Sequence, residues 1–522
     1  MKTTYFCIAA ALTLAACSDP NYPNPGRPDQ PDTSATALRT ERESGAYSLF
    51  FKPTIGWVGD AMPFFDPASG RFHVFYLQDW REAGPIHPYW VVETDAFARF
   101  DGNRLALANG TAAEQDEALG TGSVIQGNDG TYYCFYTGEK STNYVEGNPR
   151  QAVMRATSTD LKTWTKDPAF GLLSASPDYN IQEFRDPCVF WDADCQLYRM
   201  VVASDYHGYD YKALAHYTSP DLFHWTLRPE PLVKTTRTFM ECPDVFKMGD
   251  YWYVLYSSIE DPRTVQYIYR QGSLDDDTPW SEPVSLDGRN YYAAKTAVDK
   301  EGNRYLSGWC QTFEGEYDSS GWGGSLVTHR LVQAGPADPT LLASMPEAIG
   351  QRLAKPLALT ELERSARVEK HAEGDYTLQA DEAATDTVLL DRLATPSRLT
   401  LTVQRLTDDA VFGLAFGAGS NADRLYNLRF LIEPSVQKYD LAFESNGRHT
   451  DGWTQYNWRS LWDVKDETTY RLTLCMEKSV LVAYVNDRLA FSCRCYQLDQ
   501  NPWMLFVERG KVRFQGITLL GD

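Results

Sequence analysis

Residues 131–137 read TYYCFYT, directly after a turn at Gly127–Gly130. Four other stretches repeat the pattern: Phe72–Leu77 (FHVFYL) after Asp66–Gly70, Leu197–Ser204 (LYRMVVAS) after Asp192–Asp194, Tyr251–Ser257 (YWYVLYS) after Met248–Asp250, and Arg304–Trp309 (RYLSGW) after Asp299–Asn303. Short aromatic and aliphatic runs bounded by Asp, Gly or Asn read as strands joined by tight turns. Another apolar run precedes each turn, so each unit, about sixty residues long, contains a hairpin. A second signature lies downstream: Ser158-Thr159-Asp160-Leu161 leads to Trp164, and Ser219-Pro220-Asp221-Leu222 leads to Trp225. Weaker copies run from Thr94-Asp95 to Phe100 and from Ser273-Leu274-Asp275 to Trp280. Five units of about four strands, with no amphipathic helix between them, predict a five-bladed β-propeller. Period-two alternation excludes a helical solenoid, and a β-sandwich or β-helix array explains the spacing less well.

The turns align the first strand of each unit. Six residues before Asp66, Asp129, Asp192, Lys247 and Asp299 stand Asp60, Ser123, Asp186, Glu241 and Ala293. Innermost propeller strands line the central channel, so these positions are expected to converge near the axis. Isolated carboxylates at the start of apolar strands cost desolvation free energy. Three of them therefore point to a task, either a bound cation or a glycosidase site. Glycosidic cleavage needs one carboxylic acid to protonate the leaving oxygen and a second carboxylate as nucleophile or base. Crowding raises the pKa of one of them and supplies an acid near neutral pH. Arg185, beside Asp186, is positioned to keep that carboxylate ionised and to hold a sugar hydroxyl.

These residues resemble glycoside hydrolase family 32, the invertase, inulinase and levanase family. Glu183-Phe184-Arg185-Asp186-Pro187 is similar to its Arg-Asp-Pro motif, and Met240-Glu241-Cys242-Pro243 to its Glu-Cys motif. Phe135-Tyr136-Thr137-Gly138, Tyr291-Tyr292-Ala293-Ala294 and Gly308-Trp309 sit where related segments recur. Asp60, in Trp57-Val58-Gly59-Asp60, takes the place of the nucleophile in the family's Trp-Met-Asn-Asp-Pro-Asn motif. The resemblance covers roughly residues 48–350. It implies a retaining β-fructosidase acting on levan, inulin or sucrose-type oligosaccharides, with Asp60 as nucleophile, Glu241 as general acid/base and Asp186 as transition-state stabiliser. It implies no cofactor and no metal, and secondary sugar contacts from Trp57, Gln78, Trp90, Ser123, Arg185 and Trp309. The chain departs from the pattern at Gly59, at Ala61-Met62-Pro63, at Gln78 (shifted by one), at Asn290 and at Lys295. Those positions are expected to shape the subsite gripping the terminal sugar. Two other readings stand beside this one: a related five-bladed glycosidase inverting arabinosides or xylosides, and a catalytically silent glycan-binding lipoprotein.

At the N-terminus, Lys2 and the apolar run Tyr5–Ala16 end at Leu14-Ala15-Ala16-Cys17, the pattern of a lipoprotein signal peptide with Cys17 as the lipidated residue. Residues 18–46 carry Pro20, Pro23, Pro25, Pro28 and Pro31 and read as a semi-extended tether. The propeller is expected over 47–335, a connection over 336–360 and a β-sandwich over 361–522, where alternating runs such as Ser397–Leu406 and Val480–Val485 recur. An exported, monomeric bacterial lipoprotein of the outer membrane follows, on its periplasmic or cell-surface face. Its partner is an oligo- or polysaccharide, and its only membrane contact is the lipid. A net charge of −21 argues against nucleic acid as a partner. Eight cysteines remain outside the signal, and their scatter within strands suits buried thiols, with pairing left open.

Overall fold

The computed structural model describes residues 47–80, 86–142, 144–260, 262–312, 322–381, 384–419, 424–447 and 453–522. The signal peptide, Cys17 and the tether lie outside the described residues.

The chain is all-β: a five-bladed propeller followed by a β-sandwich. The aromatic runs are the second strands of the blades: Arg71–Asp79, Tyr132–Glu139, Leu197–Tyr206, Tyr251–Ser258 and Arg304–Gln311. Each pairs antiparallel with an inner strand, respectively Trp57–Asp66, Ala118–Gln126, Tyr179–Asp192, Met240–Met248 and Tyr291–Val298. These second strands are buried on both faces, as in Leu197–Tyr206, where every residue after the first is buried. A blade is covered by a neighbour on each side, so its central strand needs an unbroken apolar run. The ring closes where Val58 of the first blade pairs with Gly324 of the fifth.

The Ser-x-Asp-Leu signature is a turn built from side chains. Ser158 Oγ accepts from the Asp160 and Leu161 amides, and Asp160 Oδ1 accepts from those of Lys162 and Thr163. Leu161 and Leu222, both in the left-handed conformation, are thereby driven into the packing between blades.

The outer strand of the fifth blade, Asp338–Ser344, and a short helix, Glu347–Arg352, fall inside the stretch read as connection. In the sandwich, the last strand, Trp503–Gly521, serves both sheets. Residues 503–509 pair with Ala410–Phe416, and 512–521 with Ser397–Arg405. The change occurs at Gly510, where φ is +85° and a Cβ would meet the Asp409 carbonyl at 2.5 Å.

The two domains share a buried core in which Leu255, Leu306 and Leu341 meet Val480, Tyr484 and Ala490. Across the same seam, Asp287 accepts from the Ser492 amide (2.8 Å) and hydroxyl (2.7 Å) and lies 3.1 Å from His329. Among the described residues all eight cysteines are free thiols, and only Cys195 is exposed. Among the described residues no helix is long and apolar enough to cross a membrane.

Candidate active site

Every inner strand carries a β-bulge at which two residues oppose one on the second strand, near the strand's start in four blades and midway along Tyr179–Asp192 in the third. In the first blade Gly59 pairs with Leu77 and Met62 with Phe75, leaving Asp60 and Ala61 against one residue. The same slip puts Thr121, Asp186, Cys242 and Ala293 at the first bulge position of the other blades. Asp186, Cys242 and Ala293 adopt positive φ (60°, 49° and 49°) there. Bulges re-aim side chains at the cost of ladder hydrogen bonds.

This pairing corrects the register counted back from the turns. Asp60 and Asp186 are equivalent, but Glu241 sits one residue before its bulge, level with Gly59 and Arg185. Ser123 lies two residues beyond the equivalent Thr121. The turns differ in length: Met248 pairs with Tyr251, whereas Gln126 pairs with Tyr132. Counting from the turn therefore slips by one or two. The bulge brings the three acids together even so.

Asp60 Oδ2 accepts from Thr121 Oγ1 at 2.5 Å, and Oδ1 accepts from Trp309 Nε1 at 3.1 Å. The Cys242 thiol lies 3.8 Å from Oδ2. Burial pushes the Asp60 carboxyl up, its two donors pull it down, and the Glu241 charge adds to the rise. Asp186 Oδ2 accepts from the Cys242 amide at 2.9 Å, and its own amide donates to Thr137 Oγ1 at 2.8 Å. Burial pushes Asp186 up to about 7; Arg185 opposes this, while Glu241 and Asp60 reinforce it. Glu241 is held from both sides, Oε1 by Arg185 Nη2 at 2.8 Å and Oε2 by the Tyr292 hydroxyl at 2.6 Å. Arg185 also contacts Glu183, and its guanidinium lies 4.2 Å over the Phe239 ring. Arg263 stacks 3.8 Å over Tyr292. Among the described residues no group of three or more His, Cys, Asp and Glu is arranged to hold a metal ion.

Of the residues expected from sequence, Asp60, Asp186, Glu241, Arg185 and Trp309 converge. Ser123 faces the channel below them, accepting from the Val189 amide and donating to the Pro187 carbonyl, both at 2.9 Å. Gln78 is buried and occupied by the Ile55 carbonyl and the Tyr76 hydroxyl. Trp57 is buried with the Lys52 ammonium 4.7 Å from its ring, and Trp90 packs edge-on to Trp80 against the first blade. Lys295 is buried and donates to the Pro243 carbonyl, on the far side of the bulge from the acids. Thr121, Tyr292 and Arg263 were missed as site residues. Gly120-Thr121-Gly122, a polar residue between glycines, was the available signal for the first. Arg263, in a loop, left none.

The arrangement supplies two carboxylates with separate sets of donors and a third beside them, which is the equipment of glycosidic cleavage. The description "Glycosyl hydrolases family 32 N-terminal domain" matches residues 50–344. This chain belongs to glycoside hydrolase family 32. The description "GH32, BT1760-like, C-terminal domain" matches residues 340–518, so both domains of this family-32 enzyme are accounted for. A sucrose-6-phosphate hydrolase of Escherichia coli is 26% identical over 91% of this chain and 95% of its own length. A fructan 1-exohydrolase of Bromus pictus is 27% identical over 55% of this chain and 51% of its own. Among solved structures, fructan 1-exohydrolase IIa of Cichorium intybus superposes with a TM-score of 0.72 at 16% identity, covering 92% of this chain and 97% of that one. The Bombyx mori family-32 β-fructofuranosidase gives 0.67 at 19% identity, covering 92% and 94%. The family-32 chain is thus a glycoside hydrolase acting on oligo- or polysaccharides.

Proposed function

We propose that this enzyme is a retaining β-fructosidase, cleaving β-fructosidic bonds in fructans such as levan and inulin or in sucrose-type oligosaccharides. The observation that carries the mechanism is the separate holding of two carboxylates: Asp60 by Thr121 and Trp309, and Glu241 by Arg185 and Tyr292. Asp60 attacks the anomeric carbon while Glu241 gives its proton to the departing oxygen, forming a fructosyl ester on Asp60. Glu241, now ionised, takes a proton from water. The hydroxide attacks the same carbon and Asp60 leaves. The hydrogen bonds from Thr121 and Trp309 favour an ionised Asp60 against its burial. Asp186 is placed to hold sugar hydroxyls as charge develops on the ring, and its raised pKa lets it donate as well as accept.

The relatives' names supply the sugar, and the assay is sugar release from levan, inulin and sucrose by wild type, Asp60→Asn and Glu241→Gln. Fructose or fructo-oligosaccharides released by wild type and abolished in both variants support the reading. A folded wild type inert on all three overturns the fructan assignment.

Leu14-Ala15-Ala16-Cys17 and the proline-spaced tether support export as a lipoprotein held at the outer membrane through Cys17. Palmitate labelling of the expressed protein, lost in Cys17→Ser, tests this. Labelling unchanged in that variant refutes it.

A further inference from the structure

Gly59, immediately before Asp60, stands where the family motif has Asn. Its backbone does not explain a glycine, because Gly59 is not among the residues with positive φ. The reason is space. A Cβ at residue 59 would lie 2.1 Å from Cη2 of Trp322, 2.6 Å from Cζ3 and 2.8 Å from Cζ2, all too close for a real contact. The six-membered ring of Trp322 thus fills the volume that a side chain at 59 would need.

That indole is tied to the site on several sides. Its ring is 6.1 Å from that of Trp309, whose Nε1 donates to Asp60. It packs against the cluster of Cys242, Tyr292, Ala293 and Trp309, and Tyr292 in turn holds Glu241. Its plane stacks on His87 at 4.7 Å and 14°. Trp322 remains half-buried, packed against that cluster rather than enclosed in it.

We propose that Trp322 is a specificity-determining residue, forming the wall of the sugar subsite beside Asp60 in place of a polar side chain at residue 59. The inference rests on the reading of Asp60 as nucleophile and adds what the neighbouring subsite recognises. An amide at 59 would offer hydrogen bonds to a sugar hydroxyl. An indole offers apolar surface to sugar C–H groups, with selectivity set by shape. Gly59 and Trp322 form one unit, and neither can be changed alone without disturbing the wall.

The test is a double-mutant cycle on the full chain, with kcat and KM measured on levan, inulin and sucrose and folding checked by thermal melting. Trp322→Ala is expected to raise KM about tenfold, with a smaller change in kcat and a shifted levan-to-inulin ratio. Gly59→Asn is expected to lose about a hundredfold in kcat/KM, because the amide displaces the indole. The double variant should recover at least about tenfold over Gly59→Asn alone, since the space is then free. Trp322→Phe, which keeps packing, guards against a folding artefact and should fall between wild type and Trp322→Ala. Unchanged KM and ratio in both Trp322 variants, or a double variant that loses the product of the two single losses, overturns the proposal. Asp60→Asn separates the two claims: if it abolishes release while Trp322→Ala changes nothing, only the inference fails. If release survives Asp60→Asn, the functional reading fails.

Discussion

The two ends of the propeller channel are lined by the same five strands, yet they treat their charges in opposite ways. Below the bulges the channel opens into a cavity of about 450 Å³ lined by Met62, Ser123, Cys188, Asp244, Lys295 and Arg304, among others. There Asp244 Oδ2 accepts from the Thr296 amide (2.8 Å) and hydroxyl (2.6 Å), and Lys247 meets Asp194 at 2.6 Å. Each of these two carboxylates is paired with hydrogen-bond donors. At the bulged end, burial dominates, and Asp60 and Asp186 are both pushed above the ordinary carboxylate range. The roomy end is electrostatically settled. The chemistry belongs to the crowded end, where stability has been given up for reactivity.

The largest effects should separate the ends by activity. Asp60→Asn is expected to lose about 10⁴-fold or more in kcat, since no other group can form the ester. Glu241→Gln should lose about 10²–10⁴-fold, the usual worth of a positioned proton donor. Asp244→Asn should leave kcat within about twofold, because no mechanism reaches it. A kcat for Asp244→Asn as low as for Glu241→Gln would erase the distinction.

Stability should show opposite signs at the two ends. Asp186 is protonated in both folded and unfolded chains below pH about 4. Its folded pKa near 7 makes ionisation a penalty that grows as pH rises from 4 to 7 and is complete above that. Asp186→Asn should therefore unfold at higher denaturant than wild type at pH 8, by on the order of a few kcal/mol, and show little difference at pH 4. Asp244→Asn should lose about 1–2 kcal/mol at pH 8, where the Thr296 amide and hydroxyl lose their shared acceptor oxygen. Chemical denaturation at both pH values reads these signs. Destabilisation by Asp186→Asn at pH 8 would contradict the contrast.

Smaller effects sharpen the crowded end. Thr121→Val removes a donor that favours ionised Asp60, so its pKa rises and the acid limb of kcat/KM moves to higher pH. The shift should be about one pH unit or less. An acid limb that stays fixed would detach Thr121 from Asp60.

Much of this was legible in the chain because propeller blades repeat. The aromatic second strands, flanked by turns, disclose their number, and Arg185-Asp186-Pro187 and Glu241-Cys242 mark two inner strands. The bulge was not legible. It depends on backbone pairing rather than residue type, and the unequal turns after Gln126 and Met248 hid the equivalence of Thr121 with Asp60. Gln78 and Trp57 carry residue types suited to sugar contact, but the first blade consumes them in its own packing. Trp322 was invisible for a related reason: its meaning lies in a contact with Gly59 across more than half the chain.

The central claim is that Asp60 forms an ester and Glu241 supplies the proton. Its most direct test is the anomeric configuration of the first sugar released from levan or sucrose, followed by NMR, in wild type, Asp60→Asn and Glu241→Gln. The account predicts retained configuration in wild type and no release above background in Asp60→Asn. Inverted configuration, or release by Asp60→Asn at the wild-type rate, would contradict it.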